Sequence, residues 1–159
     1  MEFVRELNFL QEKRPLFKML SLEEKVALLR TVEMFESAPD EIVEKIAELS
    51  TEKTFGENED LIQVRKRCSN LYVSIRGEFS VLVPDGEVMR EVARLGKGKV
   101  FGEIGAVSGL AATATVRSLT PDSQVLALAG APFHAIVSQS PELAEAVLRF
   151  LARYLPGNK

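Results

Sequence analysis

Between Leu95 and Gly105 the chain reads L-G-K-G-K-V-F-G-E-I-G, which places glycine at positions 96, 98, 102 and 105. No regular helix or strand runs comfortably through that spacing, because each glycine weakens regular structure and opens backbone conformations closed to other residues. The chain must turn here, and a ligand can approach the bare backbone closely. A helical turn over Glu103–Val107 would aim its first N–H groups toward Gly102, where aligned peptide dipoles favour an anion. Glu103 would then be suited to accept a hydrogen bond from a sugar hydroxyl. Taken alone, the stretch fits a structural turn as well as a phosphate cradle.

The flanks set its context. Phe3, Val4, Leu7 and Leu10 recur at helical spacing before Pro15. Ser21-Leu22-Glu23-Glu24 reads as a capping box ahead of Val26, Leu28, Leu29 and Val32, and Ser37 to Asp40 repeats a start signal before Ile42, Val43, Ile46 and Leu49. Three short helices are predicted. From Thr54 the pattern changes to β-rich runs: Leu61–Ile62, Leu71–Ile75, Phe79–Val83, Val88–Val92, Thr113–Val116 and Val125–Leu128. Asp85-Gly86 supplies a hairpin turn and Gly77 a bend between strands. Helix returns at Ala131-Pro132-Phe133, running to Val137. Ser140-Pro141-Glu142 then caps a last helix, with proline at its first position, extending to Pro156-Gly157. Strands at this spacing predict a sandwich or barrel, with the glycine-rich stretch inside it.

Several segments also occur in a telling order: Asn58-Glu59-Asp60-Leu61-Ile62, Leu71-Tyr72-Val73 with Gly77, Leu95 through Glu103, Ala114-Thr115-Val116, then Phe133 and Pro141. The span from Val32 to Tyr154 resembles the cyclic nucleotide-binding domain family, the sensor module of catabolite activator proteins, protein kinase A regulatory subunits and cyclic-nucleotide-gated channels. The segments match the family's G-E-x-I-I, Y-I-I-x-x-G, L-G-x-G-x-x-F-G-E and A-T-V motifs and its closing helices. The resemblance implies an α+β fold, mainly β: a jelly-roll-like β-roll flanked by N-terminal helices and a C-terminal helix that closes over the pocket. It divides the chain into a helical extension at 1–31, the domain at 32–155 and a tail at 156–159. By position, Gly102, Ile104, Gly105 and Ala106 would offer backbone donors to the cyclic phosphate of cAMP or cGMP. Glu103 would bind the ribose 2'-hydroxyl, and Thr113 would contact phosphate or a guanine amino group.

The chain departs from the family at the residue that matters most for charge. Position 112, where the resemblance places the phosphate arginine, is Ala112. Losing one partner of a buried charged pair costs about 2–5 kcal/mol, roughly thirty-fold to several thousand-fold in affinity. Arg65 and Asn58 replace turn glycines. Asn58 tolerates positive φ, whereas the turn at Arg65 is expected to be rebuilt. Arg117, Arg65, Arg76 and Arg90 are weighed as substitute cations, and surface charge is the favoured reading of each.

Composition bounds the rest. A chain of 159 residues with 46% apolar content holds one domain with a real core, and a net charge of -3 gives no field for a nucleic-acid backbone or an anionic membrane. Without a signal-peptide pattern or an 18-residue apolar run, a cytoplasmic protein is expected. Cys68 has no pairing partner, and His134, the only histidine, has no companion ligand. No cofactor and no catalytic constellation is read from the sequence, so the chain is not expected to be an enzyme. On the last helix Leu143, Val147, Phe150 and Tyr154 form a row suited to homodimerisation, with Leu148, Leu151 and Leu155 as a second row. With four residues after Leu155, no output domain is expected to follow, and a separate effector protein would carry the signal. The expected function is a non-catalytic regulatory module acting through protein contacts with weakened or lost cAMP/cGMP binding. The alternative is a working cyclic-nucleotide sensor using Glu103, the cassette amides and Thr113.

Overall fold

A computed structural model describes residues 19–153. The helix expected over Phe3–Leu10, the extension boundary's first half, Tyr154, Leu155 and the tail lie outside the described residues. Helix α1 (Leu22–Arg30) opens on the expected capping box: the Ser21 side chain accepts from the Glu24 amide, and the Glu24 side chain accepts from Ser21 N–H. A 3-10 turn at Glu33–Phe35 leads to α2 (Asp40–Leu49). The start of α2 differs from expectation, with Pro39 at the cap and no side-chain cap bond.

Among the described residues eight strands follow: β1 (Thr51–Phe55), β2 (Asp60–Ile62), β3 (Asn70–Arg76), β4 (Phe79–Asp85), β5 (Val88–Leu95), β6 (Val100–Phe101), β7 (Thr115–Ser118) and β8 (Ser123–Ala129). They form two four-stranded antiparallel sheets, in orders β1-β8-β3-β6 and β2-β7-β4-β5. Helix α3 (Glu103–Ser108) lies between β6 and β7, and α4 (Gly130–Gln139) and α5 (Pro141–Ala152) close the chain. Ser140 caps α5 through its side chain, with Pro141 in the first turn, as the sequence predicts.

The first sheet is buried on both faces. Leu71, Val73, Leu126 and Leu128 point into a helical core with Leu29, Phe35, Val43, Ile46, Phe133 and Leu143. The alternate residues Tyr72, Val125 and Ala127 join Ile62, Phe79, Phe101 and Val116 between the sheets. Successive side chains of a strand face opposite ways, so the centres of β3 and β8 need apolar residues on both faces, and L-Y-V and V-L-A-L supply them. Phe101 is the hinge of the inter-sheet layer: its ring stacks on Tyr72 at 5.5 Å and sits 5.3 Å from Phe79.

Helix α5 corrects one expectation. Leu143 and Val147, assigned to a dimer row, are buried in the chain's own core at 0% and 2% exposure, and Phe150 packs partly against it. The residue left outward is Leu148, 67% exposed. Both apolar rows have the same helical spacing; burial of the first follows from α5 docking on the 3-10 turn and α4.

Candidate ligand-binding cassette

The glycine-rich stretch is built onto β3. Ser74, fully buried, ties down its turn: the Ser74 carbonyl accepts from Gly98 N–H at 2.9 Å, its amide donates to Lys99 O at 2.9 Å, and its hydroxyl donates to the Gly96 carbonyl. The short β6 then pairs with β3, Tyr72 opposite Phe101 and Val73 opposite Val100. Gly102 turns the chain into α3 at φ +83°, a left-handed conformation that favours glycine. An ideal Cβ at Gly102 would lie 2.4 Å from the Asn70 carbonyl oxygen, and one at Gly105 would lie 2.4 Å from that of Cys68. These two glycines therefore seat α3 directly on the main chain of residues 68–70. Ala106, buried, abuts Gly130 at the start of α4, whose amide donates to Ser69 O at 2.5 Å. The cassette helix thus touches both the sheet and the first closing helix.

Each expected site residue has a definite place. Gly102, Glu103, Ile104, Gly105 and Ala106 form the entry and first turn of α3. Glu103 is buried at 6% exposure. The Ala106 amide is already engaged, donating to Gly102 O at 3.0 Å as the helix's first closed hydrogen bond. Ala112 is half-buried against the inter-sheet cluster, while Thr113 is exposed and precedes β7, which begins two residues later than expected.

Position 112 is held by main-chain bonds to the loop after β2. Arg65 N–H donates to Ala112 O at 2.8 Å and Ala112 N–H donates to Lys66 O at 2.9 Å, with Arg67 bridged to Ala111. The same loop is fixed at its start by the Val64 amide, which donates to Thr115 Oγ1 at 3.0 Å. Arg65 keeps φ +70° and Asn58 φ +60°. The turn at Arg65 was not rebuilt; the arginine accepts a conformation costing roughly 1–2 kcal/mol for a residue with a side chain. Of the substitute cations, Arg117 is committed elsewhere, its Nε donating to Asp60 Oδ1 at 2.7 Å, and Asp60 holds its guanidinium above the ordinary arginine value. Arg90 pairs with Asp85 at 3.3 Å near the β4–β5 turn.

Beside the loop lies a cavity of about 310 Å³ whose wall includes Ile62, Lys66, Arg67, Cys68, Asn70 and Tyr72. Gly102 backs onto the same wall, its Cβ position lying 3.3 Å from Ile62 Cδ1 and 3.4 Å from Tyr72 Cδ2. The Tyr72 hydroxyl accepts from Asn70 Nδ2 at 3.2 Å, and burial pushes the phenol above its ordinary value. Sequence reasoning missed Ser74 and the loop at 64–67 as parts of the cassette. Ser74 carried a signal, since a hydroxyl inside the apolar run L-Y-V-S-I has to find partners when buried. His134 is exposed on α4, and no group of metal-ligating side chains occurs among the described residues.

Two antiparallel sheets in this order, with a glycine-entered helical turn seated on β3 and helices at both ends, define a β-roll flanked by helices. The cyclic nucleotide-binding domain model matches residues 32–140, and the chain belongs to that family. An uncharacterized NTE family protein of Mycobacterium tuberculosis is 30% identical over 127 residues, which cover 80% of this chain and 21% of the relative. The chain thus spans about a fifth of the length of the curated relatives it matches. Among solved structures, the regulatory domain of Toxoplasma gondii PKA with cAMP shares the fold at a TM-score of 0.73 and 15% identity, over 84% of this chain and 50% of that one. The regulatory subunit of a cAMP-independent protein kinase A from Trypanosoma brucei does so at 0.72 and 17%, over 87% and 49%. Among the described residues no helix is long and apolar enough to cross a membrane.

Proposed function

We propose that this cyclic nucleotide-binding domain is a non-catalytic regulatory module that passes its signal through protein contacts and holds cAMP or cGMP only weakly. The observation that carries this reading is Ala112. Its amide and carbonyl are fixed by Lys66 and Arg65 and its methyl packs on the inter-sheet cluster, so the position is ordered but uncharged. Around it, Glu103 is buried on the first turn of α3. A relative of the same fold described as cAMP-independent supports the idea that this architecture can work without that ligand. The short share of the mycobacterial relative that the chain spans fits a module whose output lies in other protein segments.

The test is calorimetric titration of Ala112→Arg beside the unaltered chain with cyclic AMP and cyclic GMP. A buried charged pair restored at this position is worth about 2–5 kcal/mol, so affinity should rise at least about ten-fold. No gain for either nucleotide would overturn the reading of position 112.

A further inference from the structure

The cations nearest to position 112 are not on its own segment. They lie on the loop hydrogen-bonded to it, where Arg65, Lys66 and Arg67 are consecutive and exposed. The Val64 amide, donating to the Thr115 hydroxyl, and main-chain bonds at Arg65 and Lys66 fix this loop, and the bridge to Ala111 fixes Arg67. Lys66 and Arg67 line the 310 Å³ cavity that Gly102 backs onto. The one carboxylate in that lining, Asp60, is already bonded to Arg117. The lining therefore carries two positive charges that its own acid does not neutralise.

From this arrangement we infer that the counter-charge for a phosphodiester at the cassette has moved from position 112 to the facing loop, and that Lys66 and Arg67 supply it. The inference rests on the reading that the cassette takes a cyclic mononucleotide weakly. Exposed cations act through a screened field and through charge-assisted hydrogen bonds to phosphate oxygens, which is weaker than a buried bidentate arginine. Low affinity with marked salt sensitivity is the combination this predicts.

The experiment is titration of the full chain with cyclic AMP and cyclic GMP, read by amide chemical shifts up to millimolar ligand. The unaltered chain should bind at least one of them. Lys66→Ala/Arg67→Ala should weaken that binding by about ten-fold, as expected for losing hydrogen bonds to a charged group. The charge-preserving pair Lys66→Arg/Arg67→Lys should stay within about three-fold of the unaltered chain, since screened charge rather than a bidentate fork carries the contact. Adding Ala112→Arg to the double alanine variant controls for folding: measurable binding there shows an intact cassette. Absence of binding by the unaltered chain, or equal binding by the double alanine variant, overturns the assignment to the loop. Failure of Ala112→Arg to gain affinity while the double variant still loses it overturns only the reading of position 112.

Discussion

Two glycines of the cassette serve packing, and a set of three alanine substitutions separates the physical terms. At Gly109 an added Cβ meets nothing within 4 Å, but φ is +72°, so Gly109→Ala carries the left-handed penalty alone, about 1–2 kcal/mol. Gly105 lies inside α3 without a positive φ, and there alanine gains about 1 kcal/mol in helix propensity. Its Cβ, however, would sit 2.4 Å from the Cys68 carbonyl oxygen, so main chain must move by several tenths of an ångström. Forced repacking of that kind costs about 1–3 kcal/mol, leaving Gly105→Ala neutral to destabilising by about 2 kcal/mol. Gly102 combines both terms, φ +83° and a Cβ 2.4 Å from the Asn70 carbonyl oxygen, for about 2–5 kcal/mol. The assay is urea unfolding of each variant. With m near 2 kcal/mol/M for a chain of this size, Gly102→Ala should lower the midpoint by roughly 1 M or more at unchanged m. A Gly105→Ala variant clearly more stable than the parent, or Gly102→Ala no worse than Gly109→Ala, would refute the claim that α3 is seated on the 68–70 main chain.

Three further predictions concern the closing helix and its C-cap. Arg153 Nη1 donates to Glu33 Oε2 at 3.0 Å, a second contact joins Nη2 to Oε1, and this hydrogen-bonded pairing holds the Glu33 carboxyl below its ordinary value. The folded-state value is the depressed one, so any stability the pair adds is present above the ordinary glutamate range and is lost as pH falls through the folded value. NMR titration should place the Glu33 midpoint below that range and return it upward in Arg153→Met; the same midpoint in both chains would contradict the pairing. Leu143→Ala, emptying a fully buried site, should cost about 3 kcal/mol in chemical unfolding, whereas Leu148→Ala should stay within about 0.5 kcal/mol. If copies of the chain associate through α5, sedimentation should show it weakened by Leu148→Ala; association that survives that change would place the contact elsewhere.

What was legible in the sequence follows from which residues are locally determined. The capping box at Ser21, the Pro141 helix start and the hairpin after Asp85 are short-range chemistry; the first two appear where expected, and the hairpin loop is Gly86-Glu87, one residue later than the Asp85-Gly86 expected, because Asp85 still pairs with Val88. β3 and β8 were legible as apolar runs because their sheet is covered on both faces. β1 was not, since T-E-K-T-F is an edge strand that owes its conformation to pairing with β8, Thr51 opposite Ala127 through Phe55 opposite Ser123. β6, two residues long, is likewise fixed by its partner β3.

The cassette divides along the same line. The order of its motifs could be read, but the partners of its backbone could not, because they come from segments close to fifty residues away. The loop at 64–67 and the segment at 111–115 bond across that separation, and only their pairing shows that Arg65, Lys66 and Arg67 stand beside Ala112. Arg65 illustrates how a sound local argument can miss. Positive φ disfavours arginine, which argues for a rebuilt turn, yet the Arg65 amide donates to Ala112 O and the Ala112 amide returns a bond to Lys66 O. A rebuilt turn would break that reciprocal pair, and two main-chain hydrogen bonds are worth about 0.5–1.5 kcal/mol each, comparable to the conformational strain a rebuilt turn would relieve. With the two terms near balance, the backbone holds its shape under a residue that local geometry disfavours.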